Sequence, residues 1–268
     1  MSFSIAGKTA IVTGAAKGIG LSVARHFSAK GANVMFADID EASLEAEVGE
    51  GARSEGTIRM FTGDLREKLT IANLLSATID AFDRVDILVN ASRRMTISDP
   101  LLVEEDSVES LWRENVLTSL RMTQMTAKRM IAQAEKSGAE GVIGSIINVS
   151  AISGTRTQPG LLGYSIASAA VDQMTRSMAV ELAPKGIRVN AVAIGSVMSA
   201  SLQSALKEEP TWRTAIIEGT PMGRIAAPDE LTEVMQFLAS DASGFMTGQI
   251  LGIDGGRGLL DRVAVPAF

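Results

Sequence analysis

The chemistry-bearing residues nearest the start of the chain are glycines. Thr13-Gly14-Ala15-Ala16-Lys17-Gly18-Ile19-Gly20 follows an apolar strand-like run and opens a helical pattern that stops at Gly31. Glycines in such a turn let the backbone bend tightly and approach a pyrophosphate. The helix start adds unpaired N–H donors and a partial positive charge. Asp38 closes the next apolar run about twenty residues beyond the glycines, where a carboxylate can accept hydrogen bonds from both ribose hydroxyls of NAD and would repel the 2′-phosphate of NADP. The pattern predicts dinucleotide capture by Gly14, Lys17, Gly18, Ile19, Gly20 and Asp38, with NAD ahead of NADP.

Composition narrows the remaining chemistry. The chain holds 268 residues with no cysteine, one histidine and one tyrosine. Disulfides, thiol catalysis and thiolate metal sites are therefore absent, and a zinc site is not expected. His26 lies on the helical pattern after the glycine turn and reads as a packing or surface residue. The net charge of −6 argues against nucleic acid as a partner. No apolar run approaches the ~20 residues of a membrane span. Met1–Lys8 lacks the charged, apolar and cleavable regions of a signal peptide, so a cytoplasmic location is expected.

These residues need elements to position them. Seven apolar runs read as strands: 9–13, 33–37, 57–61, 86–90, 145–149, 188–193 and 249–253. Most are continuous rather than alternating, as in a parallel sheet covered on both faces. Helical patterns separate them, over 18–30, 65–82, 108–136 and 163–183. The alternation predicts an α/β fold, a single doubly wound Rossmann domain with a seven-stranded parallel sheet flanked by helices. Residues 195–225 break the rhythm and carry Met198, Leu202, Leu206, Trp212, Ile216 and Met222. That length near strand ends predicts a lid or substrate wall.

Further along, Asn148-Val149-Ser150 is followed after thirteen residues by Tyr164-Ser165-Ile166-Ala167-Ser168. This stretch resembles the catalytic segment of the short-chain dehydrogenase/reductase family, whose signature is a serine followed by Tyr-x-x-x-Lys. The glycine turn resembles the same family's T-G-x-x-x-G-x-G form, in which a base such as Lys17 often accompanies NADP. The resemblance runs from Gly7 through Gly256. It implies that Tyr164 is the acid–base residue, that Ser150 orients the substrate oxygen, and that Asn115 belongs to a proton relay. It also implies cofactor contacts from Asp64 and Leu65 (at the adenine edge), from Asn90 and Ala91, and from Val197 near the carboxamide.

The chain departs from the family pattern around the reactive end. Ser168 replaces the lysine, Arg93 replaces the last glycine of Asn-Asn-Ala-Gly, and Ile194 replaces a proline. A free phenol titrates near ~10 and a nearby cation lowers a pKa by ~1–3 pH units, so losing the lysine predicts slower oxidation at neutral pH. Arg93, Arg94 and Arg156 are the candidate substitutes, as charges rather than proton relays.

The resemblance implies hydride transfer between NAD(H) and a secondary alcohol or ketone. A second reading is a catalytically silent NAD(H)-binding relative acting as sensor or partner subunit. Helical patterns 108–136 and 163–183 pair subunits in similar proteins, which implies a homotetramer or homodimer. The apolar end Val263–Phe268 is a candidate for docking on a neighbouring subunit. Deleting residues 263–268 is then expected to lower the assembly mass in light scattering; an unchanged mass refutes the docking.

Overall fold

A computed structural model describes residues 2–49 and 56–261; the tail 263–268 lies outside them. The strands are β1 (Thr9–Thr13), β2 (Asn33–Asp38), β3 (Ile58–Thr62), β4 (Ile87–Asn90), β5 (Gly144–Ala151), β6 (Ile187–Ile194) and β7 (Ile250–Ile253). They form one parallel sheet in the order β3-β2-β1-β4-β5-β6-β7. The principal helices are α1 (Gly18–Ala29), α2 (Glu41–Val48), α3 (Lys68–Phe82), α4 (Val108–Leu111), α5 (Thr118–Ser137), α6 (Leu162–Leu182), α7 (Ala200–Glu208), α8 (Thr211–Glu218) and α9 (Pro228–Ala239).

The continuous apolar strands have the cause inferred from sequence. Successive side chains point to opposite faces, so Val12, Val34 and Val89 pack with Val23 and Phe27 of α1 and Leu231, Met235 and Leu238 of α9. Ile11, Met35, Leu88, Ile146 and Val189 pack the other face against Ile71 and Leu74 of α3 and Met122 and Met130 of α5. A polar ladder crosses the centre of the sheet. Asn90 Nδ2 donates to Asn148 Oδ1 at 2.8 Å, and Asn148 Nδ2 to Thr175 Oγ1 at 2.9 Å.

Two helical expectations are corrected. The stretch 65–82 turns helical only at Lys68. Asp64 first makes a side-chain turn, accepting the Arg66 N–H on Oδ1 at 2.9 Å, a local bond that competes with the helix. The stretch 108–136 is three pieces: α4, a π-helical turn at Trp112–Leu117, and α5. The wide turn contains Asn115, whose side chain is engaged by a neighbouring loop, and such turns gather at functional sites.

Strand order reverses between β1 and β4, so the chain leaves their carboxyl ends in opposite directions and opens a crevice there. A cleft of about 850 Å³ at the opposite, amino end is lined by Lys8, Arg84, Asp86, Arg188 and Asp241. Lys8 pairs with Asp241 and Arg84 with Asp86, each at 2.6 Å, and Arg188 Nη2 donates to Leu238 O at 2.7 Å. It is the floor of the fold, remote from the crevice.

Leu88 is fully buried in the central strand β4. Leu88→Ala is expected to cost about 2–5 kcal/mol of stability, read as a lower denaturant midpoint. A loss under about 1 kcal/mol would contradict the packing described.

Candidate active site

The crevice is built from three loops. The first is the glycine turn after β1. Gly18 sits at φ +62° and a Cβ there would meet nothing within 4 Å, so the turn leaves an open cradle at the start of α1. Lys17 caps α1 without a side-chain bond to it, which leaves the first N–H groups of the helix available. A Cβ on Gly14 would lie 2.8 Å from Ser92 Cα, so only glycine admits the second loop there. These features fit a dinucleotide pyrophosphate.

Asp38 stands at the end of β2, half-buried. Its Oδ2 accepts from Ala16 N at 3.0 Å and its Oδ1 from Ile39 N at 2.8 Å, so glycine turn and carboxylate are held as one unit. Lys17 Nζ is drawn 2.9 Å from Asp40 Oδ2. Lys17 and the Ser43 groups hold the Asp40 carboxyl down at about 2. Asp40 also caps α2. Asp64 forms a two-pronged ion pair with Arg66, with Nη2 to Oδ2 at 2.7 Å, and Leu65 is buried.

The second loop follows β4. Ala91 N and Ser92 N both donate to Thr13 Oγ1, at 3.0 and 3.1 Å. Asn90 is buried and its amide turns into the sheet, towards Asn148, Thr123 and Ser119. Asn115 grips the backbone further on: Arg94 N donates to its Oδ1 and its Nδ2 donates to Arg94 O, both at 2.8 Å. Arg93 is therefore held between two anchors and points inward. Its Nη1 donates to Ser150 O at 2.6 Å, and its guanidinium carbon lies 4.8 Å from the centre of the Tyr164 ring. The other two arginines point elsewhere. Arg94 reaches Glu114 at 3.4 Å, and Arg156 Nε donates to Gly258 O at 2.6 Å.

The third element is the end of β5 with the first turns of α6. Ser150, Tyr164 and Ser168 are 2%, 7% and 5% exposed. Ser150 is within contact of α6, because its hydroxyl donates to Ser168 O at a long 3.4 Å. The Ser168 hydroxyl donates to Tyr164 O at 2.8 Å and accepts from Ser153 Oγ at 3.2 Å. It thus bonds its own helix one turn back, as short hydroxyl side chains do. Val197 lies beyond β6 and bridges Ala226. Ser196 O and Met198 N take the Ala226 backbone at 3.2 and 2.9 Å, so the Val197 N–H points away from Ala226.

One residue escaped the sequence reading. Asp172 is one turn beyond Ser168 on the same face of α6, 4% exposed, with Oδ1 lacking any hydrogen-bond partner. Burial pushes the Asp172 carboxyl up, opposed by the Ser150 hydroxyl, Arg176 and Arg93. Burial pulls the Arg93 guanidinium down to about 10, opposed by Asp172. The signal that could have found Asp172 was an acid at four-residue spacing from Tyr164 and Ser168 on the buried face of α6.

The chain matches the family model described as enoyl-(acyl carrier protein) reductase over residues 14–257. It is 34% identical over 252 residues to a 3-oxoacyl-(acyl-carrier-protein) reductase of Thermotoga maritima, covering 93% of this chain and 97% of that one. It is similar to the 3-ketoacyl-(acyl-carrier-protein) reductase of Brucella melitensis complexed with NADH, with 30% identity, a TM-score of 0.84, and coverage of 95% of this chain and 100% of that one. A gluconate 5-dehydrogenase from Burkholderia cenocepacia, in complex with NADP and tartrate, is similar at 27% identity and TM-score 0.86, over 97% of this chain and 98% of that one. With the doubly wound sheet, the glycine cradle and the Ser150–Tyr164 pair, these matches show that the chain belongs to the short-chain dehydrogenase/reductase family, as an oxidoreductase.

Proposed function

We propose that the protein is an NAD(H)-dependent oxidoreductase interconverting a secondary alcohol and a ketone, with Tyr164 as acid–base residue and Ser150 orienting the substrate oxygen. The observation that carries this reading is that Arg93 contacts both residues at the carboxyl end of β5, Ser150 at its carbonyl and Tyr164 at its ring, beside the crevice that the glycine turn and Asp38 flank. A bound nicotinamide would accept the hydride from the carbinol carbon, or return it to the carbonyl carbon.

The chain supplies the rest. The cradle at Gly18, with Ile19 and Gly20 opening α1, holds the pyrophosphate, and Asp38 accepts the ribose hydroxyls. Asp64, Leu65, Ala91 and the backbone of Asn90 line the nucleotide's path, and the Val197 N–H faces the carboxamide. In oxidation the Tyr164 oxygen takes the substrate hydroxyl proton as the hydride leaves the same carbon. In reduction the phenol gives the proton back. Ser150 steadies the oxygen in both directions. Asn115 acts one step back, fixing the loop that carries Arg93.

NAD is favoured over NADP because Asp38 would face a 2′-phosphate and because the charge of Lys17 is met by Asp40. Segment 195–225, joined at its base by the Val197–Ala226 bridge, is read as a lid. The exposure of Trp212 and Met222 on it favours an apolar or ring-bearing substrate. Met125, Ile131, Met178 and Leu182 line an apolar groove between α5 and α6, which supports pairing into a homodimer or homotetramer. No described helix is long and apolar enough to cross a membrane, and a cytoplasmic site is proposed. No feature of the described residues favours the silent-binder reading.

Calorimetric titration tests the cofactor. NADH is expected to bind more tightly than NADPH; binding of neither refutes the proposal. Asp38→Ala removes charge-assisted hydrogen bonds worth ~1.5–3 kcal/mol and is expected to weaken NADH about ten- to hundredfold while NADPH gains relative to it. Across a screen of alcohols and ketones, Tyr164→Phe is expected to lose about 10²–10⁴-fold in turnover. Parental activity in that variant would refute the role of the phenol.

A further inference from the structure

Ser168 leaves Tyr164 without a cation on its own helix, and the geometry offers one from elsewhere. The Arg93 guanidinium stacks on the Tyr164 ring at 4.8 Å and is pinned by its bond to Ser150 O at 2.6 Å. Tyr164, Ser168 and Asp172 are spaced by one helical turn each, so they share one face of α6. All three are buried. Ser168 has turned its hydroxyl back to the helix. Asp172 carries a buried carboxylate oxygen with no hydrogen-bond partner, an arrangement that is costly unless a cation is near.

We propose that Arg93, entering from the loop after β4 and held by the Ser150 carbonyl, is the cation that stabilises ionised Tyr164, in the place of the lysine that the family resemblance implies at the position of Ser168. This inference rests on the acid–base role assigned to Tyr164 above. The two departures from the family pattern then compensate. A small hydroxyl residue at 168 leaves α6 without its cation, and an arginine at 93 brings a positive charge in from the opposite wall.

The charged surroundings support the assignment. On α6, the Asp172 charge favours the charged form of Arg93 through space, and Arg176 acts on Asp172. From the π-helical turn, Glu114 is engaged by Arg94 and Arg66, at 3.4 and 3.7 Å. From the loop after β5, Arg156 is tied to Gly258. Arg93 is thus the arginine of this region that lies over the Tyr164 ring. It remains a cation at neutral pH even with its pKa drawn down to about 10. Its role is electrostatic, because a guanidinium this basic holds a charge without passing protons.

Tyr164 is the only tyrosine of the chain, so its ionisation can be read directly in the cofactor-free protein. The titration would follow tyrosinate absorbance or the resonance of a ¹³C-labelled tyrosine. Arg93→Met is expected to raise the midpoint by about one to three pH units. Arg93→Gln, closer in shape, serves if the Met variant does not fold; far-ultraviolet circular dichroism and NADH binding establish folding. The double variant Arg93→Gly with Ser168→Lys is expected to bring the midpoint back towards the parent.

Kinetics give an independent readout. The acid limb of the kcat/KM profile for alcohol oxidation should move up with the midpoint. Oxidation at neutral pH should fall about 10–10³-fold, since the tyrosinate fraction drops about tenfold for every pH unit by which the midpoint rises, and recover in part at higher pH. Ser168→Lys should add little while Arg93 is present and much when it is replaced by glycine, the non-additivity of two groups sharing one task. A folded Arg93→Met or Arg93→Gln protein whose tyrosine midpoint does not move overturns the proposal, as do strictly additive effects of the two substitutions. Full activity in Tyr164→Phe would instead sink the function proposed above, so the two failures are distinguishable.

Discussion

The site depends on the parallel pairing of β1 with β4, the point at which strand order reverses. Ala10, Ile11 and Val12 are in register with Ile87, Leu88 and Val89, so both strands end at the same height and their following loops meet. Gly14 and Ser92 then touch backbone to backbone, and the Thr13 hydroxyl accepts two N–H groups from the opposite loop. A side chain larger than hydrogen at Gly14 would push the walls of the crevice apart. That loop–loop seam fixes the distance between the nucleotide cradle and the loop that carries Arg93.

Electrostatics at the inner end follow from burial. The ion pairs of this protein that lie towards solvent, such as Arg224 with Glu230 or Lys17 with Asp40, stand in water and add little to stability. Arg93 and Asp172 differ because they lie deeper: Asp172 is buried, and Arg93 is half-buried against the Tyr164 ring. A guanidinium there is tolerable only with acceptors, and it has the Ser150 carbonyl, the face of the Tyr164 ring and the Asp172 charge. In low dielectric the same arrangement acts strongly on a phenol beside it.

Much of the fold was legible because its cause is local. Strands buried on both faces must be continuous apolar runs, so their number and, to within one or two residues, their limits could be read from residue type. The glycine turn was legible because few other residue patterns give a backbone that approaches a phosphate at a helix start. Misreadings arose where a side chain competed with the backbone. Asp64 delayed the start of α3 through its own turn, and Asn115 sits in a widened helical turn whose period differs from the one sought. Asn90 looked like a crevice residue from its position after β4, yet its amide closes a ladder inside the sheet with Asn148.

The sequence by itself determined the sheet, the glycine turn with Asp38 at the end of the following strand, and the spacing of Ser150, Tyr164 and Ser168. Those features depend on residue type and spacing along short stretches. Only the tertiary structure decided what stands near the phenol. Arg93, Asn115, Ser150 and Asp172 come from four separate elements, and their meeting depends on strand register and helix rotation. A pattern along the chain does not carry these, because charge acts through space.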